Sequence, residues 1–183
     1  RRFDKYGILH FQGISRYRMP EQKPSKPLTN AFIAGGFLFG PGSIVNDIPY
    51  DPNLYFCGEE ISISARFWTH GYNIYTPDRL ILFHLYKSTT IKNHTAKTHW
   101  SDHQDWLELN RRSMIRVHML LNTLKKASEE LHPSPDDVVE LEKYGLGHHR
   151  TLAEYGLWAG IDFVNQSINP KAFSREFPAG QSC

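Results

Sequence analysis

Glycines at 58 and 71 bracket the twelve residues EEISISARFWTH, and no other stretch restricts the fold of this chain as strongly. Ile61, Ala65 and Trp68 recur at i, i+4 and i+7, the spacing of one helix face, and Gly71 stands where a helix can close on a left-handed residue. Ile63 and Phe67 add apolar surface away from that stripe. A helix over about Glu59 to His70 is therefore covered on more than one side, and other elements must pack around it.

The flanking sequence supplies those elements. YGILHFQ (Tyr6 to Gln12) alternates like a strand, and the basic stretch RYRMPEQKPSKPLTN after it carries three prolines that keep it irregular. AFIAGGFLFG is apolar with Gly35 and Gly36 at its centre, which predicts a buried strand or strand-turn where a backbone or ligand comes close. YNIYTP and RLILFHLY read as short strands, the second too apolar for a surface edge.

From Trp100 the pattern becomes helical. Ser101 with Gln104 forms a capping-box pattern before a stripe of Trp106, Leu109, Ser113, Val117, Leu120 and Leu124. Ser134 before Pro135 and Asp137 predicts a second helix ending near Gly145, and Thr151 with Glu154 a third ending near Gly160. The expected fold class is thus α/β, with residues 1–99 mixed and 100–183 a helical extension packed on them; 183 residues favour one domain.

Charge narrows the functions. Lys plus Arg number 21 against 19 Asp plus Glu, a net charge of +2 without the basic excess of a nucleic-acid binder. No apolar run approaches the ~18 residues of a membrane span, so a soluble protein is expected. Two cysteines, Cys57 and Cys183, do not make a disulfide scaffold and favour a reducing compartment. The opening RRFDKYG has neither Met nor a targeting pattern, which suggests a piece of a longer polypeptide.

Each residue that could carry chemistry also has a plain structural reading. Glu59 and Glu60 in a first helical turn gain ~0.3–1 kcal/mol from the helix dipole, which alone would account for them. Alternatively their carboxylates point past the helix end into a cleft and accept hydrogen bonds from a polyhydroxylated ligand, with Gly58 letting it approach the backbone. Gly35 and Gly36 fit close strand packing equally well as room for a flat ligand. His84, after four apolar residues, is a structural strand end or a metal ligand. His94, His99 and His103 offer three imidazoles for a zinc hydrolase, but no cysteine accompanies them. G-x-S-x-G, Walker and C-x-x-C patterns do not occur.

In this order and spacing, FIAGGFLFG, DPNLYFCGEEISISARFWTHGYNIYTP and FHLY, with GLGHHRTLAEYGLWAGIDF further on, resemble the carboxyl-terminal part of the GlcNAc-transferases that modify hydroxyproline on a ubiquitin-ligase adaptor in the cytoplasm. The central block is similar, more distantly, to polypeptide GalNAc-transferases. The match spans Phe32 to Lys87 and, less closely, Gly145 to Phe163. The resemblance implies a GT-A fold and a retaining, metal-dependent transfer of GlcNAc from UDP-GlcNAc to a protein or glycan hydroxyl, with manganese as the usual cation and a cytoplasmic location. It implies His84 as metal ligand and Lys87 as the cation beside the diphosphate. Gly35, Gly36 and Gly58 would line the donor-sugar pocket, Glu59 and Glu60 would hold sugar hydroxyls, and Arg66 and Trp68 would be supporting structure. Two departures stand beside this. The family's metal-binding D-x-D belongs upstream of the glycine pair, where only Asp4 occurs, and Cys57 replaces a glycine of the GalNAc-transferases. A non-catalytic carbohydrate-binding fragment is the alternative.

Overall fold

The computed structural model describes residues 2–11, 25–79, 81–82, 99–127 and 131–173. Strands β1 (Arg2–Phe3) and β2 (Leu9–His10) form an antiparallel hairpin with Phe3 opposite Leu9. The strand expected over Tyr6–Gln12 is confined to Leu9–His10 because Asp4 takes the preceding residues into a turn. Its Oδ1 accepts from the amides of Tyr6 and Ile8, both at 2.9 Å, and Gly7 supplies a φ of +79°. Strand β3 (Leu28–Asn30) pairs antiparallel with β4 (Ile74–Thr76), the strand expected in YNIYTP. Asn30 fastens the pair, its Nδ2 donating to Thr76 Oγ1 and to the Phe32 carbonyl at 2.9 Å each. Of RLILFHLY, Arg79, Ile81 and Leu82 are described, and all three are exposed outside any strand.

Between those strands lie α1 (Ile44–Asp47) and the bracketed helix, α2 (Glu59–Thr69). Every α2 residue from Ile61 to Thr69 is buried. The two apolar faces read from the sequence go to different partners. Ile61, Ala65 and Trp68 join one cluster with Ile8, Phe32, Ile115, Val117 and Tyr155, while Ile63 and Phe67 join a second with Ile33, Ile48 and Ile74. On a third side Arg66, 2% exposed, donates from Nε to the Gly145 carbonyl at 3.2 Å and from Nη1 to the Pro49 carbonyl at 2.7 Å.

Past α3 (His99–Asp102) comes the long helix α4 (Trp106–Leu120). Ser101 lies within α3, and the helix start belongs to Asp105, whose carbonyl accepts from Glu108 and Leu109 at 3.0 and 3.1 Å. The capping box expected from Ser101 and Gln104 is therefore displaced. Ser113 and Val117 of the stripe are buried, but Leu124 falls beyond the helix in a 3-10 turn, Leu124–Lys126. Arg116 is buried and paired with Asp51, Nη2 to Oδ2 at 2.7 Å.

Ser134 and Asp137 do form a capping box, yet only the 3-10 helix Pro135–Val138 follows where a helix to Gly145 was expected. The backbone leaves helical geometry at Val139 (ψ 128°) and Glu140 (φ +52°), where Arg116 Nη1 donates to the carbonyls of Asp137 and Val139 at 2.8 and 2.9 Å. A continuing helix would need those carbonyls for amides four residues on. Helix α5 (Leu152–Ala159) matches its expectation, with Thr151 and Glu154 in a capping box and Gly160 at φ +72°. It leads into the hairpin β5 (Ile161–Asp162) and β6 (Ser167–Ile168), so the second half is not wholly helical.

The described strands form three separate two-stranded antiparallel pairs. The architecture is mixed α and β, with α2 packed against α4 and α5 and one core shared by residues before and after position 100. Among the described residues no helix is long and apolar enough to cross a membrane.

Candidate functional site

The chain from Ala31 to Gly36 runs along the first two turns of α2. Residues two apart in an extended chain and four apart on a helix both advance about 6–7 Å, so two side chains of α2 can serve alternate amides of the neighbouring segment. Ser64 Oγ accepts from the Ile33 amide at 2.8 Å, and Glu60 Oε1 accepts from the Gly35 amide at 2.9 Å. Ser64 in turn donates to the Glu60 carbonyl at 2.6 Å, which locks the pair of rungs together.

At Gly35 and Gly36 the chain turns, with the Phe37 amide 3.5 Å from the Ala34 carbonyl. The buried strand expected over AFIAGGFLFG does not form: β3 ends at Asn30, and only the irregular Ala31–Ile33 that follows it is buried. Phe37, Leu38 and Phe39 are exposed, Phe39 at 87%, because the turn carries them away from the core. A Cβ on Gly35 would lie 2.6 Å from Glu59 Oε1, so the missing side chain makes room for a carboxylate. The backbone at Gly58 has another explanation from the one expected. Its φ is +79°, and a Cβ there would meet Val117 Cγ2 at 2.6 Å, so the space beside it is filled by α4.

The two carboxylates, adjacent in sequence, have different surroundings. Glu60 holds the Gly35 amide, whereas Glu59 Oε2 is buried without a hydrogen-bond partner among the described residues. Burial first, and then the charge of Glu60, pushes the Glu59 carboxyl up from its ordinary 4.5 to about 7. A helix N-terminus acts the other way, favouring the ionised form by ~0.3–1 kcal/mol and by at most ~2 kcal/mol where the group is partly buried. Burial wins, and dipole complementarity does not explain this residue. Tyr50 lies in the same field: burial, then the charges of Glu59 and Glu60, push its phenol up to about 12. A carboxyl that holds its proton near neutral pH can donate or accept a hydrogen bond, which suits a hydroxyl-bearing ligand.

Arg66 and Trp68 are built into the interior. Trp68 stacks on Trp158 with centroids 5.5 Å apart, and the Arg150 guanidinium sits 4.8 Å over its ring. Of the expected site, the structure brings together Gly35, Glu59 and Glu60, with Gly36 in the same turn. His84, Lys87 and His94 lie outside the described residues, as does the side chain of His99, and His103 is exposed with its ring 5.6 Å from that of Tyr55. A groove of about 490 Å³ beside α5 and β5, lined by Leu152, Gly156, Leu157 and Phe163 among others, contains none of these residues.

Sequence reasoning missed Tyr50, and it missed one cluster of metal-ligating groups. Asp4, His10 and Cys57 each offer a ligand atom, all within 4.8 Å of one another, where the turn of the β1–β2 hairpin meets the lead-in to α2. No local pattern joins residues so far apart in sequence. Its thiol suits soft or borderline metals and does not fit the manganese implied by the resemblance, which prefers oxygen ligands.

A family model described as Glycosyltransferase (GlcNAc) matches residues 1–165. No curated protein and no solved structure matches the chain. A match over most of the 183 residues, spanning the glycine turn, α2 and α4, settles the relationship, and the chain belongs to the GlcNAc glycosyltransferase family.

Proposed function

We propose that this chain transfers a hexosamine, GlcNAc, from a UDP-sugar to a protein or glycan hydroxyl with retention of configuration, on a GT-A scaffold in the cytoplasm. The observation that carries the reading is the buried Glu59 Oε2, which has no partner among the described residues, beside the Gly35–Gly36 turn. In this proposal Glu59 accepts from, or donates to, a donor-sugar hydroxyl, and the glycine turn lies against the sugar ring. Glu60 is a positioning residue, because its carboxylate already holds the Gly35 amide. Gly58 shapes the start of α2.

The acceptor oxygen would bond to the anomeric carbon on the face from which the phosphate oxygen departs, and the acceptor proton would pass to that phosphate oxygen. No protein nucleophile is needed, so Glu59 orients the sugar and takes no part as a base. Negative charge develops on the departing diphosphate, and Lys87 is the cation proposed to meet it. His84 is the proposed ligand of a divalent metal, manganese in this reading.

Calorimetric titration with UDP-GlcNAc, with and without manganese, tests this. Wild type should bind in a manganese-dependent manner. At pH 8, where the Glu59 carboxyl is ionised, Glu59→Gln should weaken binding about tenfold or more, as expected for loss of a charge-assisted hydrogen bond, Gly35→Ala should weaken it by displacing Glu59, and His84→Ala should remove the metal dependence. Binding unchanged in both Glu59→Gln and Gly35→Ala refutes the site. Binding without any turnover of an acceptor supports a carbohydrate-binding role in place of transfer.

A further inference from the structure

We propose that Asp4, His10 and Cys57 bind one zinc-type divalent ion that clamps the amino-terminal hairpin to the start of α2. This inference is independent of the donor site.

The three groups supply one oxygen, one nitrogen and one sulfur, the mixed set that zinc and its neighbours accept and that magnesium, calcium and manganese do not favour. Ligand bonds of about 2.0–2.3 Å at a tetrahedral centre put ligand atoms roughly 3.3–3.8 Å apart. His10 Nε2 and Asp4 Oδ2 are 2.8 Å apart, and all three ligand atoms lie within 4.8 Å. Binding therefore requires the imidazole and carboxylate to part slightly and the cysteine to close by no more than about an ångström. Each of the three residues is half-buried, which shields a metal from bulk water yet leaves it a path of entry.

The supporting shell is already in place. Asp4 Oδ1 accepts from the amides of Tyr6 and Ile8, so the hairpin turn itself orients the carboxylate and leaves Oδ2 for His10 or a metal. Cys57 is a free thiol held immediately before Gly58, whose left-handed backbone packs on Val117. Three protein ligands leave a fourth position for water. Cys57 is two residues from Glu59, so the metal would tie residues 2–11 to the turn that presents the carboxylates.

The test uses the purified chain stripped of metal and titrated with cobalt, then zinc. The expected result is one thiolate-bound ion per chain, marked by a thiolate-to-cobalt charge-transfer band that zinc displaces and equimolar manganese does not. Cys57→Ser and His10→Gln should each abolish the band, while Cys183→Ser and His84→Ala keep it. Zinc should raise the thermal midpoint of wild type and leave that of Cys57→Ser unmoved. Should a variant fail to fold, X-ray absorption of the zinc-loaded wild type decides, with a single sulfur in the first shell expected. Absence of stoichiometric binding, binding that survives Cys57→Ser, or a zinc shell without sulfur overturns the proposal and leaves the cluster as a carboxylate–imidazole pair beside a thiol.

Discussion

Glu59→Gln should make this protein more stable at neutral and alkaline pH while weakening its donor site. The native carboxyl titrates near 7 and an unfolded one near 4.5, so between those values the folded chain binds more protons than the unfolded chain. Stability from this group is therefore complete below about 4.5 and is lost as pH rises through about 7. At about 1.4 kcal/mol per pH unit the interval corresponds to ~3 kcal/mol, and partial exposure to screening water reduces that to ~1–2 kcal/mol. Glutamine keeps the shape and removes the charge. The assay is urea denaturation of both proteins from pH 4 to 8, read as the difference between them. The difference matters because other groups move in opposite senses: His118 is buried between Tyr6 and Thr123, burial lowers its pKa, and its contribution is lost as pH falls. Subtraction cancels such terms. The variant should match wild type at acid pH and exceed it by ~1–2 kcal/mol above pH 7. A difference that does not vary with pH, or that grows toward acid, refutes the argument that Glu59 is held against its own charge.

The interior makes further demands. Trp68→Ala should cost ~3–5 kcal/mol in a urea titration, since it opens a cavity between Trp158, Tyr155 and Arg150. Asp51→Ala strands the buried Arg116 guanidinium and should cost ~3–5 kcal/mol, with part of the loss recovered when Arg116→Met is added. Gly58→Ala should destabilise through two separable causes, a left-handed backbone worth ~1–2 kcal/mol and a clash with Val117. A second change, Val117→Ala, should relieve only the clash, so the double mutant loses less than the sum of the single changes.

What the sequence disclosed depended on whether the determining contact was local. The two apolar faces of α2 were legible because helical periodicity encodes them directly, and α5 was legible because Thr151, Glu154 and Gly160 carry their own capping chemistry. The Ser134 box was legible too, but what it leads to was not. Arg116, about twenty residues earlier in the chain, takes the carbonyls that a longer helix would use, and no window around residue 134 contains that information. The apolar run after the glycine pair misled for a related reason: hydrophobicity alone predicts burial, while the turn at Gly35 decides which side of it stays inside.

The same distinction explains the asymmetry of the two glutamates. As neighbours in a first helical turn they look interchangeable, and the helix dipole treats them nearly alike. Consecutive helical positions are nonetheless rotated by about 100°, so they cannot face the same neighbour. Glu60 shares its face with Ser64, and the Ile33–Gly35 segment runs in register with that face, so Glu60 obtains a backbone amide. Glu59 is turned toward the Gly35 Cα, where the missing side chain leaves space, and its Oε2 is buried with no partner among the described residues. A ligand hydroxyl would supply the partner that no described residue does. The cost of leaving Glu59 in this state and the capacity to bind a sugar then have one origin, and a substitution that relieves the first should remove the second.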